Sequence, residues 1–489
     1  MEGSKKEISF SKSLISSIKR KIRFEYIFLL VTLFLSLPIN PSYSYYGRYA
    51  IEAKLSFEAE VEFYSKKRVT LNLTKSNGRL KAHVQKTIKK QVEHLMGYFQ
   101  SNSVSHIIGS KGTLGEKYLA KPLSIRKSRS KNYWVLTYFF DGLATFEKKI
   151  FGSKKSIKIP LRLPKNPKTI YRLSKKGPKY PCTDKEYNSQ EDFFYFWDIY
   201  KKGCSLINDF KNVPLINASL RPLKNTRWSY PEYDKIYGDN GNGRDLVIYT
   251  FFGYMDSLKD TDTPNKRDES YKAFQKVKKT LIKRGMEVIG QENAFRIYAE
   301  DIPSSGRFNE LKDFDLYDGA NYISTLTKKI DFRGKSLNLK IKLLLSDTDI
   351  NSYDDTFRLF YKKALRTADI IEYEGHSGLG ANLSLKKLEI KGLSKKKYQL
   401  YFFNACSTYK YFNNEYLNAK GGSKNLDIIL SGLPTYGDSA SNNSLAFLDT
   451  FLEAKSLTFQ TIISRIEDSS DGGPYLYSVV GDHDNAWKP

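Results

Sequence analysis

Two short segments set an imidazole and a thiol where they could react together. Ile370-Ile371-Glu372-Tyr373-Glu374-Gly375 has strand character and ends at His376, followed by Ser377 and Gly378. Tyr401-Phe402-Phe403-Asn404-Ala405 is a second such run and ends at Cys406. Each stops at a small residue just before its reactive side chain. As neighbouring parallel strands they would bring both groups to the carboxyl edge of one sheet, where open α/β sheets hold ligands and reacting groups. A thiol needs a base or an electropositive neighbour to react at neutral pH, and imidazole can serve. The chemistry indicated is cysteine-based acyl transfer. The competing readings are a small buried hydrophobe at Cys406 and a backbone-bonded loop residue at His376.

The elements that must position this pair are legible as a change of pattern along the chain. From Tyr45 to Tyr237 the sequence reads as a β-rich α+β domain. Residues 54–63 and 68–73 alternate as half-buried strands. A helix is expected over 82–99, and further strands over 133–140 and 156–163. The turn Asp239-Asn240-Gly241-Asn242-Gly243 marks a boundary and lacks the alternating carboxylates of a calcium loop. From residue 244 to 489 strand and helix alternate, the signature of a mostly parallel sheet flanked by helices. Strands are expected at 246–252, 337–345 and 426–430, and helices at 269–284 and 356–367, with one amphipathic helix over 445–466. The stretch 291–333 fits no element and reads as an insertion near the reactive edge. Between His376 and Cys406 there is room for one hairpin or surface strand, 383–385 then 387–391.

Composition places the chain outside the cytoplasm. Lys19, Arg20, Lys21 and Arg23 precede an apolar run from Tyr26 to Leu37, and Ser42-Tyr43-Ser44 supplies a small-x-small cleavage pattern. Residues 1–44 are read as a signal peptide, with an uncleaved anchor as the competitor, since bilayer crossing takes about 20 residues. In an oxidising compartment Cys182 and Cys204 are the natural disulfide, worth about 2–4 kcal/mol for such a loop. Cys406 is then the thiol left over, which itself suggests function. So few cysteines and no clustered histidines exclude a zinc framework, and no metal or cofactor is expected.

The formal net charge is +27, and +23 without residues 1–44. The lysines are dispersed, as at Lys154-Lys155, Lys278-Lys279 and Lys395 to Lys397. That spread suits an anionic envelope surface, while no motif indicates specific nucleic-acid binding. Nothing specifies an oligomer. The aromatic, acidic segment 191–198 between the paired cysteines reads as a buried cluster rather than a recognition surface. The ending Gly481-Asp482-His483-Asp484-Asn485 reads as a polar turn before a cation site. His83, His94 and His106 have no motif support.

The two strand-end motifs resemble those of the caspase/gingipain/clostripain-like superfamily of cysteine peptidases. There a hydrophobic strand ends in His-Gly and a second ends in a small or acidic residue and Cys. Ala405-Cys406 matches, and so does the order of elements. His376 departs, since Ser377 follows it and the glycine is delayed to Gly378. The resemblance covers the C-terminal half and implies Cys406 as nucleophile and His376 as acid/base. It also implies an oxyanion hole from backbone N–H groups of Cys406 and of Ser377 or Gly378. Exported relatives mostly cleave after Arg or Lys through an acidic pocket, for which Asp438 is a candidate base, against an ordinary turn residue. The expected function is an exported cysteine endopeptidase acting on protein or peptide substrates. Its first domain would inhibit as a pro-region or dock substrate. The alternative is a degenerate caspase-like envelope protein used as a binding scaffold.

Overall fold

Alternation across residues 54–63 can be satisfied only by an extended chain with one face on a core. The computed structural model of the protein forms a strand there, longer than the pattern predicts. It describes residues 45–46, 49–72, 77–167, 182–183, 197–223, 229–238, 245–256, 265–293, 321–390, 393–470 and 475–489. These all fall within the unit Tyr43–Pro489. The expected signal segment 1–44 and the 239–243 turn lie outside the described residues.

After Tyr45–Tyr46 (β1) come β2 (Ala50–Tyr64), helices α1 (Gly78–Gln100) and α2 (Asn102–Ile108), β3 (Gly112–Lys127), β4 (Tyr133–Glu147), β5 (Ile157–Arg162) and β6 (Leu215–Pro222). Strands β2 to β6 form an antiparallel sheet in the order β3-β4-β2-β6-β5. Its inner face, with Leu55, Phe57, Val61 and Phe63, packs in one core with Val84, Ile88, Val92 and Leu95 of α1. Helix α1 starts before residue 82 because the Asn77 side chain caps it, accepting from the Leu80 N–H. No strand forms over the described part of 68–73, residues 68–72. Residues 68–70 are irregular and Leu71 and Asn72 are helical, while Val69 is buried. The alternation there marked an inward side chain without a partner strand. Cys182 and Cys204 are disulfide-bonded, as expected, and share the core with the buried Trp197.

The second sheet is built from the apolar runs of the C-terminal half. Helix α3 (Tyr233–Ile236) leads into β7 (Asp245–Gly253), α4 (Glu269–Lys283), β8 (Glu287–Asn293), β9 (Tyr322–Phe332), β10 (Lys335–Ser346) and α5 (Thr356–Thr367). Then follow β11 (Ile370–Gly375), β12 (Gln399–Ala405), α6 (Thr408–Tyr411), α7 (Asn413–Lys420), β13 (Leu426–Leu430), α8 (Gly437–Leu452), α9 (Phe459–Asp468) and β14 (Ser478–Val480). The strand order is β1-β14-β13-β12-β11-β7-β10-β9-β8. The centre, β13 to β10 in that order, is parallel. Both margins are antiparallel, which corrects the expectation of a mostly parallel sheet. Tyr233, Ile236 and Tyr237 pack into this second core.

Strands β11, β12 and β13 are buried along their whole length, as parallel strands covered on both faces are. On one face Leu400 and Phe402 share a core with Phe274 of α4 and Phe447 and Phe451 of α8. On the other, Tyr401 and Phe403 share one with Phe360 of α5 and Tyr416 of α7.

Three further expectations are corrected. The single helix over 445–466 is two helices, because Ala454 adopts a left-handed φ of 49° and the Thr458 side chain caps a new start. Within 291–333 the described part is mostly strand: residues 291–293 end β8, and Tyr322–Phe332 alternates and forms a hairpin with β10 at the sheet margin. Residues 383–390, the described part of 383–391, form no hairpin. They run as turns that bury Leu383, Leu385 and Leu388.

Candidate active site

Strands β11 and β12 are parallel neighbours, with Gly375 opposite Ala405. His376 and Cys406 are the next residues on each, so they leave the ladder at one level, about one strand spacing of 4.8 Å apart. Gly375 is required by crowding. A Cβ there would sit 2.9 Å from the Tyr373 hydroxyl and 3.2 Å from the Gly253 Cα. Alternation puts Glu372, Glu374 and His376 on one face with Asn404 and Cys406. The hydrogen bonds agree with that placement. His376 Nε2 lies 2.9 Å from the Met255 carbonyl oxygen, ahead of α4, and Cys406 Sγ is 3.8 Å from that of Thr435, ahead of α8.

The Met255 contact determines the imidazole's chemistry. A carbonyl only accepts, so in the neutral ring Nε2 carries the hydrogen and Nδ1 keeps its lone pair. His376 is exposed and Cys406 half-buried, so an incoming substrate can reach both.

The peptide after His376 is gripped from within. Its carbonyl oxygen accepts from the Tyr373 hydroxyl at 2.7 Å and from Asn382 Nδ2 at 3.1 Å. The Tyr373 hydroxyl also meets Thr348 Oγ1 at 2.8 Å. In a trans peptide the N–H points opposite the carbonyl, so the Ser377 N–H is held facing away from Tyr373 and Asn382. Ser377 itself is buried, and Gly378 has a φ of 53° with Asn382 occupying the place of a Cβ. The next peptide is held as well, since the Ser377 carbonyl accepts from the N–H groups of Gly380 at 2.9 Å and Asn382 at 3.3 Å, so Ser377 and Gly378 both remain candidate oxyanion donors.

The thiol sits on a sharp strand-to-helix turn. Ser407, next after Cys406, is in the left-handed region at φ 53°, a conformation that strains a residue with a Cβ. That turn is tied down from two directions. The Ser407 N–H donates to the Leu433 carbonyl at 3.2 Å, and Thr408 Oγ1 donates to that of Phe403 at 2.9 Å. From the end of α1, Gln100 Nε2 donates to Ser407 Oγ at 3.1 Å, and the Tyr409 hydroxyl donates to the buried Glu52 carboxylate of β2. Glu116 accepts from the Asn414 N–H at 2.9 Å.

Behind the pair lies a buried polar layer. Asn404 Nδ2 donates to Glu374 at 2.7 Å and the Tyr477 hydroxyl donates to Asn404 Oδ1 at 2.6 Å. Thr250 Oγ1 donates to Glu372 at 2.8 Å. Burial pushes both carboxyls up: Glu372 to about 8, held back by the Thr250 bond and the nearby Ser444 hydroxyl, and Glu374 well above its ordinary range, with Glu372 adding to the rise.

The remaining candidates fall elsewhere. Asp438 is exposed in the first turn of α8. Next to it, Gly437 abuts Glu269 and Met255, so a Cβ would lie 3.0 Å and 3.4 Å from their side chains. His94 is in the first core, and burial lowers it to about 4. Asp482 and Asn485 are engaged by Ser229, Tyr230 and Asp427. Among the described residues no group of three or more His, Cys, Asp and Glu side chains is placed to hold a metal ion, and no helix is long and apolar enough to cross a membrane.

Sequence reasoning missed Met255, Tyr373, Asn382, Gln100 and Glu52. Met255 acts through its backbone, so its side-chain type carries no signal. Gln100 and Glu52 are more than 300 positions from the residues they touch. Only Tyr373 was within reach, as a hydroxyl in an otherwise apolar strand face. No family model, curated protein or solved structure matches this chain.

Proposed function

We propose that the protein is an exported cysteine endopeptidase of the caspase/gingipain-like superfamily, with Cys406 as nucleophile and His376 as acid/base. The observation that carries this reading is the register of Gly375 against Ala405 on parallel strands, together with an imidazole whose Nε2 is taken by the Met255 carbonyl. Nδ1 accepts the Cys406 proton as sulfur attacks the scissile carbonyl. The tetrahedral oxyanion takes N–H bonds from Cys406 and from Ser377 or Gly378, and losing one such donor typically costs ~10²–10³ in rate. As the C–N bond breaks, the imidazolium returns its proton to the leaving amine. Water, deprotonated by the same nitrogen, then splits the thioester to a carboxylate and the thiol.

The surroundings support cleavage after basic residues. Asp256 and Asp438 are exposed carboxylates in the loop and helix start near Met255, with Glu269 beside them paired to Lys272 at 2.7 Å, in a chain whose net charge is +27. Local carboxylates on a basic molecule attract cationic side chains. The disulfide between Cys182 and Cys204 is compatible with export.

The test is cleavage by the purified chain of peptides identical except for Arg, Lys, Asp or Leu before the scissile bond. The expected result is hydrolysis of the Arg or Lys peptide, abolished in Cys406→Ala and reduced through KM in Asp438→Asn. No cleavage of any peptide or of casein, with tight peptide binding retained in Cys406→Ala, would establish the scaffold alternative.

A further inference from the structure

The Met255 carbonyl can orient His376 only if the chain after β7 is itself fixed. Strand β7 ends at Gly253, and three residues later the chain turns away. Two restraints act on this short segment. The Tyr254 N–H donates to the Ser346 carbonyl at 3.1 Å. The second restraint is one carboxylate. Asp268 Oδ2 accepts from the N–H groups of both Met255, at 2.8 Å, and Asp256, at 2.9 Å. Its Oδ1 accepts from the N–H groups of Ser270, at 2.8 Å, and Tyr271, at 3.1 Å, as the N-cap of α4. Asp268 is 1% exposed, so these bonds are not shared with bulk water.

The geometry points to Asp268 as a positioning residue that sets the His376 tautomer through the backbone of Met255. One carboxylate edge ends a helix, and the other holds the peptide whose carbonyl holds the imidazole. A capping interaction alone would need only Oδ1. Asp and Ser are equally good helix caps, yet only the longer, two-oxygen side chain spans both sets of donors. The inference deepens the His376/Cys406 reading and rests on it for its catalytic consequence. The tautomer itself can be observed without any substrate.

The experiment separates the two roles of Asp268. In Asp268→Ser the hydroxyl keeps the cap on α4 and gives up the grip on Met255 and Asp256. Thr458→Ala removes a cap of the same kind from α9, where the Thr458 side chain accepts from the Thr461 N–H, and serves as the structural control. Nitrogen-15 NMR of histidine-labelled full-length chain, with His376 assigned through His376→Gln, reads the tautomer. The expected result is a single Nε2–H form in the parent chain and in Thr458→Ala, and an averaged pair of tautomers in Asp268→Ser. Alkylation of Cys406 by iodoacetamide at neutral pH should be about tenfold slower in Asp268→Ser and unchanged in Thr458→Ala. An unaltered tautomer in a folded Asp268→Ser would overturn the inference. A lost tautomer preference, in a chain whose Cys406 alkylates no faster than when unfolded, would uphold the positioning role and remove the peptidase reading instead.

Discussion

The two reactive groups are held by different parts of the molecule. His376 is supported entirely from within the nine-stranded sheet and its loops, by Met255, Tyr373 and Asn382. The turn carrying Cys406 is braced from outside that sheet, where Gln100, Glu52 and Glu116 of the first sheet's elements reach Ser407, Tyr409 and Asn414. Thr113 of β3 also packs against Gly432, beside Leu433, which accepts from Ser407; a Cβ on that glycine would lie 3.1 Å from the Thr113 methyl. The imidazole's support is therefore confined to one sheet, while the thiol's reaches the elements of both. Loss of the first sheet and α1 as a detached pro-region would strip the strained Ser407 turn of its ties to Gln100, Glu52 and Glu116, whereas their retention keeps it in place.

Breaking each side separately sharpens the contrast. The largest effect is expected from Cys406→Ala or His376→Ala, each lowering peptide hydrolysis by about 10³-fold or more while leaving the melting temperature nearly unchanged. Next comes Glu52→Ala, which strands the buried Tyr409 hydroxyl. Leaving such a group without its partner costs about 1–3 kcal/mol, read as a lower denaturation midpoint, and kcat should fall with KM little changed. Tyr409→Phe together with Glu52→Gln should recover part of the stability. Gln100→Ala removes one neutral hydrogen bond, worth about 1 kcal/mol. It should slow Cys406 alkylation several-fold without altering the His376 tautomer. If Gln100→Ala changed the tautomer as well, the separation of the two supports would be wrong.

A pH-dependent effect concerns the layer behind the pair. Glu372 holds its proton up to about 8 when folded, against 4.5 for an ordinary glutamate, because it is buried. Between those values the folded chain binds more protons than the unfolded one. Its contribution is therefore complete below pH 4.5 and is lost as pH rises towards 8, with a slope of at most about 1.4 kcal/mol per pH unit. Glu372→Gln, which keeps an oxygen for Thr250, should flatten this decline in denaturation midpoints measured between pH 5 and 8.

What could be read from the sequence follows from how local the cause is. The central strands β7, β12 and β13 are nearly continuous apolar runs, and both faces of such strands are covered, so burial alone names them; β10 alternates through Asn338, Lys340 and Lys342 before its apolar end, and β11 is apolar apart from Glu372 and Glu374. Strand β3 is lysine-rich, with Pro122 at a register shift against β4, so its pairing depends on a partner that already has the hydrophobic pattern. The margins β9 and β14 are short of apolar residues on one face or very short, which hides them as well. At the site, His376 and Cys406 were legible because strand ends at small residues are local features. Met255 was not, since any residue supplies a carbonyl. The Gln100 and Glu52 contacts were not, since they exist only after two sheets meet.

The central claim is that the imidazole activates the sulfur across adjacent strand ends. Because Cys182 and Cys204 are bridged, Cys406 is the thiol available to an alkylating reagent in the absence of reductant. Its iodoacetamide rate should be measured against pH in the parent chain, in His376→Ala, and in the urea-unfolded chain. The expected parent rate at pH 7 is at least about tenfold above that of the unfolded chain, and the His376→Ala rate should fall back to it, given that free thiols ionise only near pH 8.5. A parent rate no greater than the unfolded one, or a rate indifferent to His376, would contradict it.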